Sequence, residues 1–273
     1  MELVVFDMDG TLLDGTSKVS PFTAETLQLM QAAGIPYTVA TGRTLQAAQG
    51  PLKGHPFDLP LILKNGAIIW CPKRGDYSHS HLLTQSEVHH VISAFNDNAL
   101  TPFVFTLSAT GEHAVYHGKL KTTTEQKLAE LFEDERELPL EPLADMPDDH
   151  AVINVSTMGS AAGVEAIIEG IANEPHLVAY TGTAIQAKDL RWLDIHHSQG
   201  SKANGISALK RELNIDKVIV FGDGENDLSM FAMADEAYAP ENADPEVQAA
   251  AHRVIGHHNE DGIAHFLRER FQL

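Results

Sequence analysis

Two carboxylates placed two residues apart at the end of an apolar run are the first groups in this chain able to do chemistry. Leu3-Val4-Val5-Phe6 runs directly into Asp7-Met8-Asp9-Gly10-Thr11-Leu12, and an extended backbone aims Asp7 and Asp9 to the same side. A second acidic set, Gly222-Asp223-Gly224-Glu225-Asn226-Asp227, follows a second apolar run, Val218-Ile219-Val220-Phe221. Either segment alone also reads as a turn, with Asp or Gly breaking a strand or capping a helix. Neither is a calcium-binding EF-hand loop. Counted from Asp7, Leu12 falls where Gly is needed and Lys18 where the bidentate Glu is needed; counted from Asp223, the same places hold Leu228 and Ala234. Two acidic strand ends in one sheet suit a hard cation that takes oxygen ligands and keeps several waters, as Mg²⁺ does.

Three further segments offer groups for an anion. Thr41-Gly42-Arg43 supplies a hydroxyl, a residue without Cβ and backbone N–H groups at the start of a helix, which together can hold a phosphate or simply cap the helix. Gly200-Ser201-Lys202 is not a P-loop, because Ile195 stands where the first Gly belongs and Lys and Ser are in the wrong order. Lys202 is nevertheless a candidate point charge for a phosphate, or a solvated helix lysine. Asn65-Gly66 reads as a turn.

The elements that must position these groups follow from periodicity. Leu3–Phe6 is a continuous apolar run of the kind buried in a parallel sheet. Ser20-Pro21 starts a helix that Gly34 can end, Tyr37–Ala40 is the next strand, a second helix runs to about Lys53, and Leu61-Ile62-Leu63 is a third strand. This alternation predicts a Rossmann-like, doubly wound α/β sheet. From about Leu82 the pattern changes. Val88, Val91, Ile92 and Phe95 form one helix stripe, and Val164, Ile167, Ile168 and Ile171 another. Short strands fall near 103–107, 114–117, 152–156 and 177–180. The expected organisation is a core of residues 1–81 and 190–273 interrupted by an inserted α+β domain at 82–189.

Composition narrows the function classes. With 43% hydrophobic and 21% charged residues the chain is that of an ordinary globular protein. Its formal net charge of −19 repels phosphate backbones on average, which argues against general nucleic-acid binding. Cys71 is the one cysteine, so no intrachain disulfide can form, and a cytoplasmic location is expected. The N-terminal residues do not have the pattern of a signal peptide, and no run approaches the roughly 20 apolar residues of a membrane span. The 15 histidines include the adjacent pairs His89-His90, His196-His197 and His257-His258, none at metal-ligand spacing.

Taken in order along the chain, Asp7–Leu12, Thr41, Lys202 and Gly222–Asp227 resemble the four motifs of the haloacid dehalogenase superfamily of aspartate-nucleophile phosphatases. The resemblance covers nearly the whole chain. An insertion between the second and third motifs, with the Thr-Gly-Arg and Asn-Gly-Ala forms at Thr41 and Asn65, is similar to the Cof-type subfamily (subfamily IIB) with an α/β cap. Ala203 departs from the pattern, since many members have Gly after the Lys.

The resemblance implies a Mg²⁺-dependent phosphatase for a small phosphorylated metabolite. Asp7 would be the nucleophile, Asp9 the general acid and base, and Lys202 the compensating charge. Mg²⁺ would be held by the Asp7 and Asp223 carboxylates and the Asp9 carbonyl. Thr41, Gly42, the Met8 backbone N–H and Asn226 would bind the phosphoryl group, with Arg43 and Asn65 also on the substrate side. Asp227 would support the metal shell or orient Lys202, and Gly10 and Thr11 would shape the loop after the nucleophile. Specificity would come from the cap, where Asn154 and Arg191 are polar candidates near the expected cleft. The same core residues would serve a phosphomutase or phosphotransferase. A non-catalytic binding protein would be marked by loss of the nucleophile or acid, and Asp7, Asp9, Lys202 and Asp223 are all present.

Overall fold

The computed structural model describes residues 1–96, 98, 100–135, 138–184 and 187–273. The chain divides into two units, 1–79 with 201–273, and 80–200. The first unit begins with β1 (Glu2–Phe6), α1 (Pro21–Ala32), β2 (Tyr37–Val39), α2 (Leu45–Leu52), β3 (Leu61–Leu63), β4 (Ile68–Cys71) and β5 (Asp76–Ser80). The second holds α3 (Gln85–Asn96), β6 (Phe103–Leu107), β7 (His113–His117), α4 (Thr123–Glu130), β8 (Leu140–Pro142), β9 (Ala151–Ser160), α5 (Ala161–Ile171), β10 (Leu177–Ala184) and β11 (Ala187–His197). The first unit then resumes with α6 (Lys202–Glu212), β12 (Lys217–Phe221), α7 (Leu228–Met233), β13 (Glu236–Pro240), α8 (Pro245–Ala250), β14 (Arg253–Ile255) and α9 (Gly262–Phe271).

In the first unit a parallel sheet has the order β14-β13-β12-β1-β2. Leu3, Val4, Val5 and Phe6 are all fully buried, as a central parallel strand covered on both faces requires. The expected doubly wound α/β class is therefore correct. Strand order reverses between β1 and β12, so their carboxyl ends flank the crevice where open α/β sheets bind ligands. Asp7 follows one of these strands and Asp223 follows the other shortly after its end.

The third strand differs from the expectation. Leu61–Leu63 pairs antiparallel with β4 in a separate three-stranded sheet, β3-β4-β5, and the bridge Ala40↔Ile62 links it to the end of β2. The reason is local. Lys64, Asn65 and Gly66 all have positive φ, which turns the chain straight back on itself.

The second unit is a six-stranded sheet, β10-β11-β9-β6-β7-β8, antiparallel except for the β7-β8 pair. The two apolar stripes read from the sequence pack as expected: Val88, Val91 and Phe95 with Val164, Ile167 and Ile171 lie in one core with Val104, Val155, Leu193 and Ile195. The second division falls at 200/201 and not at the expected 189/190. Residue 189 lies inside β11, whose pairing with β10 continues to His197. Among the described residues no helix is long and apolar enough to cross a membrane.

Candidate active site

The turn after β1 is forced by its own residues. Gly10 adopts φ +73°, and a Cβ at that position would lie 2.3 Å from Asp223 Oδ2. The Gly10 carbonyl accepts from Asn242 Nδ2 at 2.7 Å, and Thr11 Oγ1 donates to Asp223 Oδ1 at 2.6 Å. The first acidic loop is thus tied to the second.

Asp7 and Lys202, 195 residues apart, meet at the centre of the site. Lys202 is fully buried, and its ammonium donates to Asp7 Oδ1 at 2.5 Å and to Asp227 Oδ1 at 2.6 Å. It is the first residue of α6, whose N-cap is Ser201. That helix start is set against the Lys64–Gly66 turn: a Cβ on Gly66 would lie 2.1 Å from the Ser201 carbonyl oxygen. Asp227 does two jobs. One oxygen takes the ammonium, and the other accepts the backbone N–H groups of Asp223 (2.9 Å) and Gly224 (3.0 Å), closing the second acidic loop.

Thr41 is buried, and its hydroxyl accepts the Arg43 N–H at 3.2 Å. The cap of α2 is Thr44, not Thr41, so the Thr41 hydroxyl is not consumed by the helix. Gly42 lies beside Asn65, whose Oδ1 would be 3.3 Å from a Cβ there. Asn65 Oδ1 accepts from Asn226 Nδ2 at 2.9 Å, which joins the Lys64–Gly66 turn to the second acidic loop. Met8 is fully buried next to Asp7, and Asp9 is exposed and ion-paired with Arg43. Asn242, which sequence reasoning missed, donates to Gly10 and accepts the His258 N–H at 3.1 Å. Its signal was available, because it sits two residues beyond β13, at another strand end of the same sheet.

The electrostatics are unbalanced: three carboxylates, those of Asp7, Asp223 and Asp227, surround one ammonium. Burial pushes the Asp7 carboxyl well above the usual range, with Lys202 opposing and Asp227 and Asp223 adding to the rise. Burial likewise carries Asp223 up to about 6, against the Thr11 hydrogen bond. Burial opposes the charge of Lys202, but Asp227 and Asp7 outweigh it and raise its pKa.

The oxygens of Asp7, Asp223 and Asp227 lie within 4.8 Å of one another, an all-oxygen set that suits a hard cation. Both oxygens of Asp227 already hold N–H donors. Asp7 and Asp223 each retain an oxygen without a hydrogen bond among the described residues, and these are the pair able to take a metal.

Carboxylates gathered around a buried lysine at the switch point of a parallel sheet mark a candidate active site of an α/β enzyme. The family model of haloacid dehalogenase-like hydrolases matches residues 4–267, and the chain belongs to that family. It is 27% identical over 269 residues to an Escherichia coli (strain K12) 5-amino-6-(5-phospho-D-ribitylamino)uracil phosphatase, covering 96% of this chain and 93% of that one. It is 25% identical over 274 residues to the phosphoglycolate phosphatase of Methanopyrus kandleri, covering 98% and 96%. Among solved structures, a subclass IIB sugar phosphatase of the superfamily matches with a TM-score of 0.79 at 23% identity, covering 100% of this chain and 99% of that one. The chain is an enzyme of this hydrolase family, and these three relatives are named as phosphatases.

Proposed function

We propose that the chain hydrolyses a small phosphorylated metabolite in two phosphoryl transfers. A carboxylate oxygen of Asp7 attacks phosphorus, the bond from phosphorus to the leaving oxygen breaks, and Asp9 gives that oxygen a proton. Asp9 then takes a proton from the water that attacks the aspartyl-phosphate, releasing inorganic phosphate and restoring Asp7. The Thr41 hydroxyl, Gly42, the Met8 N–H and Asn226 bind the phosphoryl oxygens. Mg²⁺ would be held by the Asp7 and Asp223 carboxylates and the Asp9 carbonyl, and when bound it supplies positive charge to offset the phosphoryl oxygens.

The observation that supports this reading is the buried ammonium of Lys202 at 2.5 Å from Asp7. A carboxylate approaches a phosphate dianion only when charge is offset, and here a cation is built against the attacking group at a cost in desolvation that structure alone does not require. The test is a phosphate-release screen over phosphorylated sugars, nucleotides, pyridoxal phosphate and flavin mononucleotide, with Mg²⁺ and in excess chelator. Release of free phosphate that needs the metal is expected. Full turnover in chelator, or isomerised sugar phosphate in place of free phosphate, would overturn it.

A further inference from the structure

The Asp9 carboxylate and the Arg43 guanidinium meet fork to fork. Arg43 Nε donates to Oδ2 at 2.7 Å and Nη2 to Oδ1 at 2.5 Å. The guanidinium is itself anchored, with Nη1 donating to the Ala47 carbonyl at 2.9 Å, within the first turn of α2. The Arg43 backbone is fixed at both ends, its N–H on Thr41 Oγ1 and its carbonyl accepting the Lys64 N–H at 3.1 Å. Exposure is lopsided: the Asp9 side chain is 56% exposed and that of Arg43 19%. The arginine is therefore the fixed member and the aspartate the one held.

A short, exposed carboxylate beside a glycine at φ +73° has little packing to choose its rotamer. A planar two-point pair chooses it, because both oxygens are placed at once. The same edge of Arg43, the one formed by Nε and Nη2, is the edge that would otherwise clasp two phosphoryl oxygens, and Asp9 fills it. The sequence places Arg43 on the substrate side; the geometry points elsewhere. We infer that Arg43 is a positioning residue that acts through Asp9 and is not a ligand of the phosphoryl group. This rests on the acid and base role given to Asp9 above.

The test compares Arg43→Gln, Arg43→Lys, Asp9→Asn and the Asp9→Asn/Arg43→Gln double variant on a sugar phosphate turned over in the screen and on 4-nitrophenyl phosphate, with inorganic phosphate as competitive inhibitor. A sugar alkoxide needs a proton to leave and a nitrophenolate hardly does. Arg43→Gln should therefore lower kcat for the sugar phosphate by about tenfold or more, a share of the 10² to 10⁴ that positioned proton transfer is worth, and lower it less for the aryl substrate. KM and the inhibition constant of phosphate should stay within about twofold, since proton transfer and not phosphoryl binding is lost. In the Asp9→Asn background the arginine change should add nothing. Arg43→Lys should regain part of the loss, since an ammonium keeps the charge without the fork, and it carries the test if the glutamine variant does not fold. A tenfold rise in the phosphate inhibition constant that persists in the Asp9→Asn background would make Arg43 a phosphoryl ligand and overturn the inference. So would additive losses in the double variant when Asp9→Asn is itself impaired. Wild-type kcat in Asp9→Asn on the sugar phosphate would instead remove the acid role of Asp9, and the inference with it.

Discussion

Both ends of the parallel sheet carry acids and bases, and they are built on opposite plans. At the carboxyl ends of the strands one fully buried ammonium faces three carboxylates. At the amino ends, Lys217 and Arg270 face Glu2 and Glu236, two cations against two anions, with side chains 18–35% exposed. The carboxyl groups respond in opposite directions: burial holds Asp7 well above its ordinary range, while Glu236 is brought down to about 2. A balanced, partly hydrated cluster serves the fold. A buried cluster with surplus negative charge is costly by itself and becomes reasonable when a cation completes it.

The largest break of this comparison is Asp7→Asn. It removes the carboxylate proposed to attack phosphorus, and phosphate release should fall by about 10⁴-fold or more. It also removes one of the crowded carboxylates and leaves Lys202 its partner Asp227, so the thermal midpoint should hold or rise. Phosphate release and a melting curve on one preparation check both. An active variant, or one that melts well below the wild type, would contradict a cluster built for catalysis at the cost of stability.

Lys202→Met sharpens the contrast from the other side. It leaves Asp7 and Asp227 buried without their cation, and breaking a buried pair in this way costs about 3–5 kcal/mol. Lys217→Met at the amino ends removes a cation that is 33% exposed, and should cost about 1 kcal/mol or less. Urea unfolding of the two variants side by side gives the numbers. Equal losses would show that the two ends do not differ in kind.

The site was legible in the sequence because its residues come as short motifs directly after apolar strands, where strand polarity dictates which end they occupy. Lys202 was legible as a charge and Asp227, through the family resemblance, as a residue that would orient it or support the metal shell, but the bond from Lys202 to Asp7 was not, since the two lie 195 residues apart. The inserted unit gave up its helix stripes, whose period of 3.6 is local, and hid its polar network. There Asn154, fully buried, donates to Ser156 Oγ at 2.7 Å and to Asp194 Oδ1 at 3.3 Å, and Ser156 Oγ bonds Asp194. Ser156 and Asp194 meet because β9 and β11 pair them directly across the sheet, a register that no spacing announces. The end of that unit falls later than expected for the same reason, because strand pairing continues past residue 189 to His197 and the unit ends at 200. Ser156→Ala should leave the Asn154 amide and the carboxylate short of a partner, costing about 1–3 kcal/mol in urea unfolding. A loss near zero would mean that the network is hydrated and that this unit, too, keeps its polar groups in water.

The smallest effect tests the amino-end cluster by pH. Burial alone would push the Glu236 carboxyl up, but hydrogen bonds from Arg270 and Lys217, and from the Tyr238 hydroxyl at 2.5 Å, outweigh it. A folded-state value lowered from the ordinary 4.5 to about 2 means that the charged form is favoured by folding. Its contribution is therefore complete above about pH 4.5, shrinks as pH falls, and is gone once the folded protein is protonated near pH 2. Glu236→Gln should be less stable than the wild type at pH 7 by about 1 kcal/mol or less, because the cluster is partly hydrated and screened. The gap between the two urea midpoints should narrow between pH 5 and pH 3, since Lys217 and Arg270 stay protonated throughout and the variant lacks the carboxylate at 236 that the wild type protonates. A gap that widened on acidification would mean that Glu236 is a strained acid like Asp7, and the difference drawn between the two ends of the sheet would fail.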